Sequence, residues 1–193
     1  ESHPLGRTEW MKLYAVLLGK EDVAEKAFKE QTDKLDKVLT SDDKDTGKTV
    51  AFFYINSTGA VNVRKNGDYV SNMIELAGGK NAAEEITDTY WAEISYEQLL
   101  AWDPAYIILA SDADYTVDDV LNDENLKDCT AVKNGQVYQI PGDVEALDSP
   151  VPASILASVW LAGILHPEQV PADTYTTESN TYYETFYGIS FEN

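Results

Sequence analysis

The chain has 193 residues, 44% of them hydrophobic and 11% aromatic, enough apolar mass to bury one or two cores. Its 34 acidic residues against 14 basic ones give a formal net charge of −20, which repels phosphate backbones and anionic headgroups and argues against nucleic acid as a partner. Cys129 is the single cysteine, so an intramolecular disulfide and a cysteine-rich zinc site are both excluded.

In chain order, the first element is helical. Glu9 to Leu18 has helical spacing and stops at Gly19, a good residue just past a helix end. Residues 21–39 resume the pattern, with Val23, Ala24, Ala27, Phe28, Leu35, Val38 and Leu39 on one stripe and Glu and Lys on the other face. A packed surface helix and a helix joining two lobes would both look like this. Thr40 to Lys48 is a polar break. Thr49 to Ile55 is a strand rich in β-branched and aromatic residues. Asn56 to Asp68, with two glycines and no apolar period, reads as a loop at that strand's C-terminal edge, where ligands collect in open α/β sheets. Tyr69 to Ala77 is a short helix closed by Gly78-Gly79, and Lys80 to Tyr90 reads as irregular.

Ser95 and Gln98 form a capping-box pattern that starts a helix, which Pro104 ends by pushing Asp103 out of the α region. Tyr106 to Leu109 is an unbroken apolar run, suited to a strand buried on both faces of a parallel sheet. A polar loop through Asp112 and Asp114 leads to a small helix near Val117 to Leu121. Asn134-Gly135 turns into a third strand, Gln136 to Ile140, and Asp143 to Asp148 is a second loop on the ligand edge. Ala153 to Leu165 is apolar nearly all round and reads as a buried helix; Tyr175 to Tyr187 is a final helix with an aromatic stripe.

Catalytic signatures are sparse. There is no GxSxG, GxGxxG, Walker loop or HExxH. His3 falls in a frayed end, and His166 reads as a helix C-terminal residue favoured by the helix dipole. Asp112 with Asp114, or Glu145 with Asp148, are carboxylate pairs of the kind used for acid–base work or a hard cation, but with 34 acidic residues such pairs arise by chance, and solvated loop charge is the better reading. Cys129 has no histidine near it in sequence to activate it.

Several segments have a familiar order: Phe53 to Asn56 with a loop after it, Ile74 to Asn81, Trp91 with Ile94 to Pro104, Ala131 to Tyr138, and Asp148-Ser149-Pro150 leading to Leu161, with His166-Pro167-Glu168 beyond. Across Arg7 to Gly188 this resembles the helical-backbone family of periplasmic-type substrate-binding proteins, which serve ABC importers of ferric siderophores, haem and cobalamin. The resemblance implies a three-layer, Rossmann-like α/β lobe with a mostly parallel sheet flanked by helices, preceded by a long interlobe helix. It places the interlobe region at residues 7–40 and the C-terminal lobe at 41–193, with the N-terminal lobe absent. It also implies an extracytoplasmic, lipid-anchored or periplasmic protein without catalysis or cofactor. The chain opens on Glu1-Ser2-His3-Pro4 with no signal-peptide pattern, so a targeting segment would have been removed.

Site residues follow from the same resemblance. Glu97 aligns with the acidic residue that docks onto the membrane permease. Ligand contacts would come from Arg64, Tyr69, Tyr90, Trp91, Tyr115 and Glu145, with a siderophore, haem or corrinoid as the metal chelate; no residue is assigned as a direct metal ligand. An enzyme or metallocluster domain of similar fold, and a domain that only contacts a partner protein through its acidic surface, are the competing readings.

Overall fold

The computed structural model describes residues 1–38, 47–88 and 90–191. The side chains of Leu35 and Val38, Leu39, and most of the Thr40–Lys48 break lie outside the described residues.

The helical start is two helices, α1 (Pro4–Leu18) and α2 (Glu21–Val38), rather than one long rod. Gly19 lies in the left-handed region at φ 62°, where a residue without Cβ is unstrained, and closes α1. The chain then folds back. Lys12 reaches Glu25 at 3.1 Å and sits 3.9 Å from the centre of the Phe28 ring, contacts a straight helix would hold far apart. His3 is not frayed: its Nδ1 accepts from the Leu5 N–H at 3.2 Å and caps α1. Buried Lys34 ties α2 to the C-terminal helix through Glu178 at 2.8 Å. Trp10, Leu13, Tyr14, Leu17 and Leu18 remain exposed along α1.

Six strands form one mixed sheet: β1 (Thr49–Ile55), β2 (Val61–Arg64), β3 (Lys80–Asn81), β4 (Trp91–Ile94), β5 (Tyr106–Leu109) and β6 (Val137–Gln139). Their order is β4-β2-β1-β5-β6. β1, β5 and β6 run parallel, while β2 and β4 are antiparallel to their neighbours. One edge of β1 is shared, its start pairing with β3 and its end with β2.

Three of these strands correct the sequence reading. The supposed loop 56–68 contains β2, the stretch 80–90 read as irregular begins with the two-residue β3, and the stretch leading into the Ser95 helix contains β4. Asn56 makes the hairpin: its Oδ1 accepts from Thr58 N, Thr58 Oγ1 and Ala60 N at 3.0, 2.7 and 3.0 Å, an Asx turn that reverses the chain onto β1. Val61 and Val63 are fully buried, a strand too short to show its period against the polar residues around it.

Strand alternation divides the core. Val50 and Phe52 point to the face covered by α3 (Tyr69–Leu76) and α7 (Ile155–Leu165), and α8 (Thr174–Tyr187) packs on α7. Ala51, Phe53 and Ile55 point to the face covered by α4 (Tyr96–Trp102), α5 (Val117–Leu121) and α6 (Thr130–Lys133). The result is a helix–sheet–helix sandwich. β5 feeds both faces, Ile108 to the first and Ile107 and Leu109 to the second, as an unbroken apolar run requires. Asp103 adopts the left-handed conformation at φ 43° before Pro104, ends α4, and caps α6 by accepting from Thr130 N at 2.7 Å.

Candidate functional site

On the α3 face, beyond the C-terminal end of β1, the sheet is left uncovered and a cavity of about 550 Å³ opens. Tyr54, Asn56 and Ser57 come from the end of β1 and the hairpin, Arg64 from β2, and Trp91 from β4. The loop after β5 supplies Ser111, Asp112 and Asp114, and the loop after β6 supplies Ala146, Asp148 and Ser149. These two loops are fastened together. Asp148 accepts from Ser111 N at 3.1 Å and from Ser111 Oγ at 2.7 Å, while Gln139 Nε2 donates to the carbonyls of Ala110 and Ser111 at 3.2 and 3.3 Å. Gly142 lies so close that a Cβ there would stand 2.8 Å from that of Ser111.

The aromatic wall is built on charge. Trp91 meets Tyr54 edge-on with ring centres 4.8 Å apart. The Arg64 guanidinium lies 4.7 Å from the Trp91 ring and 5.0 Å from the Tyr90 ring, and it is ion-paired with buried Asp68. Asp68 also caps α3, accepting from Ser71 N at 3.0 Å. One carboxylate therefore fixes both a helix start and the cation beneath the cavity wall.

The six residues named from sequence divide. Arg64 and Trp91 line the cavity together. Tyr90 is 58% exposed and flanks Arg64 from outside the lining. Tyr69 is fully buried; its hydroxyl donates to the Leu147 carbonyl at 3.2 Å, Arg7 stacks 3.7 Å above its ring, and burial pushes its phenol up to about 12. It holds the cavity floor from behind. Tyr115 belongs to a neighbouring cavity of about 520 Å³, where it donates to Asp123 at 3.0 Å; burial first, and that carboxylate second, push its phenol up to about 12.

Glu145 turns away from the cavity that its neighbours Ala146 and Asp148 line, and is hydrogen-bonded by Tyr187 and Tyr183 of α8. Burial raises its carboxyl above the usual range. The folded state therefore holds this proton to higher pH than the unfolded chain, and stability falls as pH rises through that interval. Urea midpoints measured from acid to neutral pH should decline more for the wild type than for Glu145→Gln; parallel curves would show that this carboxyl does not matter.

Glu97 stands in the first turn of α4 and is fully exposed. Its own backbone N–H and the Ser95 hydroxyl hold its carboxyl below the usual range. Ser95 caps the helix, accepting from Gln98 N at 3.1 Å, and a complete reciprocal box forms at Thr116 and Asp119. His166 is buried at the end of α7 with its Nε2 3.1 Å from the Ala77 carbonyl, and Cys129 is buried in the opposite core face, where desolvation raises its thiol. Among the described residues no group of three or more His, Cys, Asp and Glu is placed to hold a metal ion.

Sequence reasoning missed Tyr54, Asn56, Ser57 and Ser111 as cavity residues. Their one readable signal is position, at or just past the ends of β1 and β5.

A family model described as "Periplasmic binding protein" matches residues 1–144. The chain is 31% identical over 128 residues to the molybdate-binding protein MolA of Haemophilus influenzae, and 30% identical over 171 residues to an uncharacterized lipoprotein of Methanocaldococcus jannaschii. These alignments cover 66% and 87% of the chain but 36% and 41% of the relatives, so the chain spans well under half of their length. Among solved structures, Helicobacter pylori CeuE with Ni(II) bound superposes with a TM-score of 0.80 at 21% identity, over 99% of this chain and 61% of that one.

Proposed function

Because the chain belongs to the periplasmic binding protein family, we propose that it is the C-terminal lobe of the solute-binding component of an ABC importer. In this reading it captures an iron–siderophore or related metal chelate, haem and corrinoids included, and delivers it to a membrane permease without transforming it. The observation that carries the reading is the open cavity at the end of β1, walled by Trp91, Tyr54 and Arg64 and floored by two loops fastened through Asp148. Aromatic faces and fixed polar groups at the C-terminal edge of a sheet suit a bulky, partly planar solute. The remaining wall would come from a second lobe of the same protein, with residues 7–40 as the interlobe region and 41–193 as the lobe proper. An extracytoplasmic site of action, lipid-anchored or periplasmic, belongs to the same reading.

Trp91 lines the cavity, so its emission should report occupancy. Titrating the full-length protein with ferric siderophores, haem and cobalamin is expected to quench tryptophan fluorescence for one of them; no response to any would defeat the reading. Glu97, exposed and charged, is the proposed permease contact. Glu97→Ala should leave ligand affinity unchanged and lower uptake by transporter-reconstituted vesicles roughly tenfold or more, the loss of one docking charge pair. Weakened ligand binding with normal uptake per bound solute would reverse the assignment.

A further inference from the structure

We propose that the half of the site built by this chain selects a metal chelate of net positive charge, and that Asp112 and Asp114 impose the preference. This rests on the solute-capture reading above and adds what kind of solute is captured.

The charge around the cavity is one-sided. Its charged lining residues are Arg64, Asp112, Asp114 and Asp148. Arg64 is the lone cation, and it is already engaged: Asp68 neutralises it from within the core, and the Tyr90 and Trp91 rings flank it. Asp68 already offsets that guanidinium's charge from inside the fold, so an arriving oxyanion gains less from it. Asp148 spends its two oxygens on Ser111, which fixes the loops but leaves its negative charge at the floor. Asp112 and Asp114 stand exposed on the rim, with no ion pair among the described residues. The two adjoining cavities add Asp143 on one side and Asp123 on the other, and neither is lined by a lysine or arginine. Lys65 lies against the Tyr90 ring, outside the lining.

Among the described lining residues, a compact dianion such as molybdate therefore meets one cation, already paired with Asp68. A chelate carrying a pendant ammonium meets two free carboxylates at contact range and a negative field from the whole chain of net charge −20. The aromatic wall accepts the chelate's body, and the rim carboxylates take its charge.

The test compares ferric complexes of similar size and different charge on the full-length protein: ferrioxamine B with its pendant ammonium, neutral ferrichrome, an anionic ferric tris-catecholate, and molybdate alone. Calorimetry should place ferrioxamine B first, roughly tenfold or more ahead of the tris-catecholate, with the gap narrowing as salt is raised. The double variant Asp112→Asn, Asp114→Asn should lose about tenfold for the cationic complex, leave the neutral one within about twofold, and keep its urea midpoint. Chelate binding without a charge order, or an order the double variant does not change, would overturn the selectivity while leaving solute capture standing. Tight binding of molybdate in preference to every chelate, or no binding of any probe, would overturn both.

Discussion

Replacing Asp68 with alanine is expected to destabilise the protein by about 3–5 kcal/mol, the range for breaking a buried ion pair by removing one partner. The size follows from what is stranded. Arg64 would keep its charge in a side chain only 15% exposed, pressed between Tyr90 and Trp91, with nothing to neutralise it. The α3 helix would also lose its N-cap, worth ~1 kcal/mol by itself. Asp68→Asn separates the two effects, since its amide oxygen still accepts from Ser71 N; it should fall between wild type and Asp68→Ala. Urea unfolding followed by circular dichroism measures all three. A loss below about 1 kcal/mol for the alanine variant would mean that Arg64 finds another partner or water.

Tyr69→Ala should be comparably severe, about 3–5 kcal/mol as for large aromatic truncations in packed cores. The ring, on the first residue of α3, is fully buried, so its removal leaves a void, and Arg7 loses the face it stacks on. Tyr69→Phe keeps the ring and deletes only the bond to the Leu147 carbonyl, for which about 1 kcal/mol is expected. Because Leu147 lies between Ala146 and Asp148, the phenylalanine variant should also loosen the floor, read as faster amide exchange at residues 146–149. Unchanged exchange there would confine Tyr69 to a packing role. Given total stabilities of about 5–15 kcal/mol, either alanine variant removes a large share of the folded state's margin.

The elements that sequence reveals here are those whose own residues decide them. α4 starts at Ser95 and ends before Pro104, because a hydroxyl cap and a missing N–H act locally. α7 reads as buried because it is apolar all round, and it is. β2 and β4 were illegible: each is four residues long, β2 exists because β1 offers an edge and β4 because β2 in turn does, which are tertiary facts. The same limit governs the site. Arg64 and Trp91 were legible as a charged and an aromatic residue near a strand edge, and they do meet. Tyr69 and Glu145 carry equally suggestive side chains, but one turns into the core and the other toward the α8 tyrosines, and neither turn is written in the local pattern. That Arg64 is neutralised depends on Asp68, four residues on at the cap of α3, a pairing visible only once β2 and α3 are both in place.

β1 sits at the centre of the sheet, yet its parallel neighbour arrives late: Val50 pairs with Tyr106, and β5 in turn waits for Val137. During synthesis the segment Thr49–Ile55 emerges as seven residues of strong strand preference with no permanent companion on that side. The topology thus makes closure of this edge of β1 a late event, because residues 50 and 106 must first be brought together across the intervening chain.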